Sequence, residues 1–555
     1  MSDQQQKTER YHPDLHSTWV SSTLAAMSLP QKVGQLLHPF LMPFLGVDQA
    51  LASLHDIEVG GAFFFPERKE ILQQLSDKLQ ARLTVPAIVA SDLENGAGRM
   101  VNGAVVFPDN MAVAATGDAH HAYVMGEAAA KEGLDVGVHW SFGPVVDINA
   151  NIHNPITNTR SFGDKPSTIK AFATQMIHGM QQNGLVACAK HFPGDGFDDR
   201  DQHLCTTINP LSFDDWQASS GQLFQDMIDA GVWSIMIGHI ALPCVDPGET
   251  GRLADAPSAV MSKKITTDLL RKKMGFDGVI ISDAIGMGGS CTQYPESEIV
   301  VRSIESGCDM VLFCQPKPAF QAIINAVETG RLSEARIDES VRRLLALKET
   351  LGIHQNVQRP AVSADDQQRF AQTASQVAEQ ALTEVVNTHA ADAFPLTTGM
   401  KVLCMHLRGD PQYHVDGIDD QLRARGIDVV RWSESDEFHM PDWHDLSGYD
   451  AIIIATVYGP TWATGRIRLA GNYSRALVEA MKSHHSRLVM ASFGSPYHVY
   501  EYPKVPCYVN CYSPDEHSQT AFVKYLFGEL KPTGRSPVDL NYERMFAGTA
   551  FGWMV

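Results

Sequence analysis

The densest run of side chains able to do chemistry is Lys190-His191-Phe192-Pro193-Gly194-Asp195-Gly196, continuing through Asp198, Asp199, Arg200, Asp201, Gln202 and His203. Pro193, Gly194 and Gly196 mark irregular backbone, so these groups ride on a loop, where functional residues concentrate. Asp201 and His203 are two apart, which lets the carboxylate accept a hydrogen bond from one imidazole nitrogen. The tautomer is then fixed and the other nitrogen is presented to a substrate as a proton donor or acceptor. A metal reading competes on residue type, because His191, Asp195, Asp199, Asp201 and His203 offer nitrogen and oxygen ligands. Their spacing matches no zinc signature, and glycine–proline bends separate the two histidines, so the residues are read with no metal and no cofactor.

Loops of this kind need a scaffold. Between about residues 25 and 355 short apolar runs alternate with longer helix-like stretches such as Thr168–Asn183 and Leu211–Ala230. The runs are Val33–Leu37, Gly61–Phe65, Ala87–Ala90, Val138–Val146, Leu185–Lys190, Ser234–Gly238, Val279–Ser282 and Met310–Phe313. Each is continuously apolar, as expected of strands buried on both faces. Eight β/α units over this length predict an α/β fold of the (β/α)8 TIM-like barrel kind, with a doubly wound open sheet as the alternative. Active residues of a barrel sit at the C-terminal ends of its strands. Asp92, Asp147, Lys190 with His191, His239 and Asp283 all fall at such ends.

Ser28-Leu29-Pro30-Gln31 combines a cap residue, an early proline and a glutamine able to close a capping box. The polar stretch His354–Asp366 with Pro360 reads as a linker, followed by a helix over Gln367–Glu384. New strand-like runs follow at Lys401–Met405, Asp428–Trp432, Ala451–Thr456, Arg487–Ser492 and Cys507–Asn510. The expected organisation is a barrel catalytic domain over 1–355, a linker and helix over 356–395, and a C-terminal α/β sandwich over 396–555.

At 555 residues the chain exceeds what one core supports. A formal net charge of -20 leaves no basic excess for phosphates, which argues against nucleic acid. The polar start, Met1 to Arg10, is not followed by an apolar stretch, and no run approaches the ~20 residues that span a bilayer. With nine scattered cysteines, these features lead us to expect reduced thiols and a cytoplasmic location.

The run from Lys190 to His203 resembles the K-H-F-P-G-H-G-x4-D-S-H signature of family 3 glycoside hydrolases of the β-N-acetylhexosaminidase type. The likeness extends through Gly60-Gly61-Ala62-Phe63-Phe64-Phe65, Asp92-Leu93-Glu94, Phe107-Pro108 and Phe142-Gly143-Pro144-Val145-Val146-Asp147. It continues through Asn154-Pro155, Arg160-Ser161-Phe162-Gly163, and Gly275-Phe276-Asp277-Gly278 leading to Ser282-Asp283. In the C-terminal part, Gly494-Ser495-Pro496-Tyr497, Pro532-Thr533-Gly534 and Pro537-Val538 look like that family's second domain.

The resemblance implies roles. Asp283 matches the nucleophile, His203 the general acid/base and Asp201 its orienting partner. Asp92, Arg160, Lys190 and His191 match groups that hold the sugar's hydroxyls, and Lys190 or Arg160 is expected to depress the pKa of Asp283. Three positions depart from the pattern: Asp195 replaces a histidine, Ala284 follows the nucleophile where a second carboxylate is usual, and Asn95 replaces a glycine. Asp195, His239 and Met287 join the expected sugar-binding set, although His239 and Met287 read equally well as packed side chains. Trp140 suits either a stacked sugar or the barrel interior.

The expected activity is a retaining exo-β-N-acetylhexosaminidase acting on a small saccharide or glycoside. A β-glucosidase or a glycoside phosphorylase of the same family is the alternative, and a non-catalytic sugar-binding protein is the rival from another class. The second domain is open to two roles, lending loop residues to the site or forming a homodimer.

Overall fold

The computed structural model describes residues 10–355, 359–388, 394–409, 413–433, 446–461, 467–469, 477–482 and 487–541. The polar start except Arg10, and parts of the 356–395 segment, lie outside the described residues. Two compact units emerge: one holds 1–105, 122–148 and 169–367, the other 106–121, 149–168 and 368–555.

In the first unit the strands pair in parallel. Phe40–Leu41, Gly61–Phe64, Ile88–Ser91 and Trp140–Ser141 form one ladder, and Cys188–Phe192, Ser234–Ile237 and Val279–Ser282 another. Isolated bridges join Trp140 to Val186 and Ile281 to Met310, and Leu37–His38 pairs with Val311–Leu312. Phe63, Ala90, Trp140, Cys188, Met236, Ile281 and Leu312 meet in one buried cluster. Trp140 belongs to it: its indole Nε1 donates to Ser234 Oγ at 2.8 Å, so the tryptophan is core and not a sugar platform.

Two expected strands differ. Val33 lies in a helix, Leu29–Gln35, and the strand begins only at Leu37. The Ser28–Gln31 capping box and Pro30 nucleate that helix, and an apolar run buried all round reads the same for helix and strand. Within Val138–Val146 only Trp140–Ser141 is a strand; Val145 makes a single bridge to Lys190. The Leu211–Ala230 helix is two helices, Phe213–Ala218 and Ser220–Asp229, parted at Ser219.

The second unit is built on a six-stranded sheet. Asp428–Ser433, Lys401–Arg408, Ala451–Val457, Leu488–Ser492 and Cys507–Asn510 lie side by side in parallel, and Thr383–Asn387 adds an antiparallel edge. Leu403, Met405, Ile452, Ile454, Leu488 and Met490 enter one core, while Val402, Cys404, Ile453, Ala455, Val489 and Ala491 enter the other. This strict alternation buries both faces of the sheet. The expected Gln367–Glu384 helix runs Ala364–Ala381, and Glu384 already lies in the edge strand. Helix Asn110–Ala115 contributes Met111, Ala112 and Ala115 to the first of these cores. Among the described residues no helix is long and apolar enough to cross a membrane.

Candidate active site

Parallel register brings the chemistry together. Ser234–Ile237 aligns Ile237 with Phe192 on one side and with Ser282 on the other. His191, His239 and Asp283 are therefore carried to one edge of the sheet, and Asp92 and Asp147 follow neighbouring segments with the same polarity.

Asp283 leaves its strand with its N–H on the Ile237 carbonyl at 2.8 Å, and its Oδ1 accepts from the Ala284 N–H at 2.7 Å. Burial by itself would raise its pKa. His191, His239, the Ala284 N–H and Lys190 outweigh that effect, so the carboxyl titrates below its ordinary range. The histidines act more strongly here than the lysine expected from sequence.

His191 is held by Asp147: its Nδ1 lies 2.7 Å from Asp147 Oδ2, and its backbone N–H donates to Asp147 Oδ1 at 3.1 Å. The same Oδ1 accepts from the Asp195 N–H at 2.8 Å. One carboxylate thus organises both ends of the His191–Asp195 turn. The peptide bonds Lys190–His191 and Phe192–Pro193 in this stretch are cis.

Lys190, almost wholly buried, reaches Glu94 Oε1 at 2.7 Å and Asp92 Oδ1 at 3.2 Å. The Asp92 side chain is 45% exposed. A carboxylate open to solvent but anchored by a buried ammonium suits the recognition of vicinal hydroxyls.

His203 Nδ1 lies 2.8 Å from Asp201 Oδ1, which also accepts the His203 N–H at 2.8 Å. Asp201 is buried and the His203 side chain is 26% exposed. The dyad has the orienting geometry its spacing predicts. Asp198 and Arg200 pair with each other, and Asp198 Oδ2 also accepts from the Ile208 N–H at 2.8 Å.

Asp195 is buried, with Oδ1 accepting from the Gly196 N–H at 2.6 Å and Oδ2 from Gln202 Nε2 at 2.9 Å. His239 is wholly buried, its Nδ1 2.7 Å from Ser290 Oγ and its Nε2 2.9 Å from the Ala284 carbonyl. Burial holds its pKa below the ordinary histidine value. The structure therefore puts His239 under the loop that follows Asp283, with both ring nitrogens on protein atoms, in place of the sugar contact expected of it. Met287, also buried, precedes the short Gly288–Cys291 helix. Arg160 falls in the second unit, where its carbonyl accepts from Asn110 Nδ2 at 2.7 Å.

Three contributors have no role that the sequence assigns: Asp147, Glu94 and Gln202. Asp147 is visible there as a strand-end acid and Glu94 within a family motif. Gln202 stands where the family signature has a serine, a departure that by itself assigns it no role. Among the described residues no group of three or more His, Cys, Asp or Glu is placed to hold a metal ion.

The chain is similar to proteins of known family. The model described as "Glycosyl hydrolase family 3 N terminal domain" matches residues 28–347. A β-N-acetylglucosaminidase/β-glucosidase of Cellulomonas fimi is 33% identical over 554 residues, covering 94% of this chain and 95% of that protein. A β-hexosaminidase of Nitrosomonas eutropha is 29% identical over 308 residues, 52% of this chain and 86% of its own length. Among solved structures, the β-glucoside phosphorylase BglX bound to 2FGlc superposes with a TM-score of 0.87 at 27% identity, covering 95% and 97% of the two chains. A family 3 β-N-acetylglucosaminidase from Paenibacillus sp. str. FPU-7 gives 0.80 at 27% identity, covering 93% and 99%.

Proposed function

Because the chain belongs to glycosyl hydrolase family 3 and is a glycoside hydrolase, we propose that it is a retaining exo-β-N-acetylhexosaminidase with Asp283 as nucleophile and His203 as proton donor. The observation that carries this reading is the Asp201–His203 dyad, whose fixed Nδ1 leaves Nε2 as the nitrogen that exchanges protons. Asp283 attacks the anomeric carbon while the bond to the aglycone oxygen breaks, and His203 delivers the proton that oxygen needs. Water then attacks the glycosyl-enzyme, gives its proton to His203 and releases Asp283. Asp92, with Lys190 behind it, holds hydroxyls of the terminal sugar. His191 stands beside the nucleophile, and Met287 belongs to the proposed sugar-binding set.

The same reading makes 1–355 a (β/α)8 barrel and 396–555 an α/β sandwich. Closure is supported by the bridges Trp140–Val186 and Ile281–Met310 and by the single core that the strands share. A cytoplasmic enzyme acting on imported or recycled saccharides belongs to this proposal, as does a homodimer. All nine cysteines carry free thiols, which suits a reducing compartment.

A second reading, a β-glucosidase or β-glucoside phosphorylase, is favoured by the likeness to BglX. A neutral histidine in place of a carboxylate acid/base does not repel an incoming phosphate. The test is turnover of nitrophenyl β-glycosides of GlcNAc, GalNAc, glucose, galactose and glucosamine, each with and without phosphate. Cleavage of an N-acetylhexosaminide without phosphate supports the hydrolase. Glucoside cleavage that requires phosphate moves the assignment to the phosphorylase, and turnover of none of them defeats both.

A further inference from the structure

The acid/base loop does not hang free over the nucleophile. The Gln202 carbonyl accepts from the Gly289 N–H at 3.0 Å and the His203 carbonyl from the Gly288 N–H at 2.8 Å. Thr206 Oγ1 donates to the Gly289 carbonyl at 2.6 Å. The segment bearing His203 is therefore docked, backbone to backbone, on the segment that begins at Asp283.

One side chain locks this junction from beneath. Gln202 is buried; its Nε2 donates to Asp195 Oδ2 at 2.9 Å and its Oε1 accepts from the His239 N–H at 3.0 Å. With a carboxylate on one side and an N–H on the other, the amide has only one orientation. Asp195 is fixed in turn by the Gly196 N–H and, through its own N–H, by Asp147. His239 carries the connection onward to the Ala284 carbonyl and Ser290 Oγ. In the signature that this chain resembles, a histidine stands at position 195 and a serine at position 202. Both departures are buried, and they are bonded to each other.

We infer that Gln202 is a positioning residue, braced by Asp195, that sets His203 against the aglycone oxygen relative to Asp283. The inference rests on the reading of His203 as proton donor. A general acid works only when its proton lies within hydrogen-bond reach of the leaving oxygen, and a small displacement weakens it steeply. Asp195 on this account shapes proton delivery and does not read a sugar hydroxyl.

The polarity of the pair supplies its own test. Gln202→Glu sets two carboxylates face to face, and Asp195→Asn sets two amide N–H groups face to face while its oxygen keeps the Gly196 N–H. The double variant D195N/Q202E restores every bond with the polarity reversed. The amide now at position 195 donates to the carboxylate now at position 202, which also accepts the His239 N–H. Each variant, with wild type and His203→Ala, is assayed on aryl β-glycosides of the best-cleaved sugar, from phenyl to 2,4-dinitrophenyl. Each single variant is expected to lose roughly 10- to 100-fold in kcat/KM on the phenyl glycoside, where proton donation matters, and no more than about threefold on the dinitrophenyl glycoside. The double variant is expected to return to within about fivefold of wild type on both.

Equal losses on the two substrates, or a double variant worse than either single one, overturn the inference. A His203→Ala enzyme whose losses ignore the leaving group removes the proton-donor reading itself. A His203→Ala enzyme with the expected dependence beside unaffected single variants removes the brace alone. Should a single variant fail to fold, the D195N/Q202E enzyme on both substrates still decides the matter.

Discussion

Nε2 of His191 stands 4.0 Å from Oδ2 of Asp283, and the opposite nitrogen of the ring is held by Asp147. The candidate nucleophile thus sits at the end of a buried acid–imidazole–acid series. Positive potential, foremost from His191, reaches it where its own carboxylate is buried and such interactions are strong. A carboxylate that must attack an anomeric carbon has to remain ionised, and this arrangement keeps it so against its own burial.

The pH dependence follows in sign. Since the folded pKa of Asp283 lies below its ordinary value, the acid limb of kcat/KM on a dinitrophenyl glycoside should lie on the acid side of the ordinary aspartate range. The charged form contributes stability at neutral pH, and that contribution is lost as pH falls through the folded pKa. His191→Gln removes the leading favourable influence and should move the acid limb to higher pH. A limb that stays in place in the variant would count against the electrostatic account.

Asp147 accepts from three buried donors: the His191 N–H, the His191 ring and the Asp195 N–H. Asp147→Ala leaves them unmet, at a cost of roughly 1–3 kcal/mol for each donor that finds no new partner. Chemical denaturation should show this loss, and kcat/KM should fall at least about tenfold because the His191–Asp195 turn relaxes. Unchanged activity in a destabilised variant would reduce Asp147 to a structural residue.

What the sequence discloses and what it hides divide along physical lines. Strand-end acids and histidines are legible because parallel strands of one register deliver their ends to one edge, and Asp201–His203 is legible because the pair is local. Val33 reads wrongly as strand because full burial erases the period that separates helix from strand. The partnerships of Asp147 with His191 and Glu94 with Lys190 link residues far apart in the chain, which no local pattern encodes. His239 shows the remaining difficulty: position at a strand end does not say which way a side chain turns, and here it turns into protein.

Beside the start of the Val279–Ser282 strand, Asp309 is fully buried among arginines. Its Oδ2 takes Arg271 at 2.7 Å and the Ile280 N–H at 3.0 Å; its Oδ1 takes Ser340 at 2.8 Å and Arg343 at 3.1 Å. The arginines hold its pKa down against desolvation. Asp309→Asn leaves buried guanidinium charge uncompensated and should cost about 3–5 kcal/mol of stability in denaturant unfolding. Because these hydrogen-bond and ion-pair partners of Asp309 lie outside the site, kcat/KM of the folded fraction should match wild type. A variant of normal stability would show that water or rearrangement replaces the carboxylate.

Gly289 is the point where the loop of His203, the ring of His239 and the segment after Asp283 meet. A Cβ there would run into His239 Cβ and lie 3.0 Å from the Gln202 carbonyl, whereas at Gly286 nothing lies within 4 Å. Gly289→Ala must therefore push the two loops apart or shift His239, while Gly286→Ala adds a methyl to open space. The expectation is a fall in kcat of at least about tenfold for Gly289→Ala, from displaced proton donor and nucleophile, against about wild-type turnover for Gly286→Ala. Melting curves of both variants separate misplacement from unfolding: a Gly289→Ala enzyme that melts near wild type but turns over slowly places the defect in loop docking. Equal kinetics in the two variants would mean that the Gly288–Gly289 junction yields freely, and docking of the His203 segment would then have no hold on catalysis.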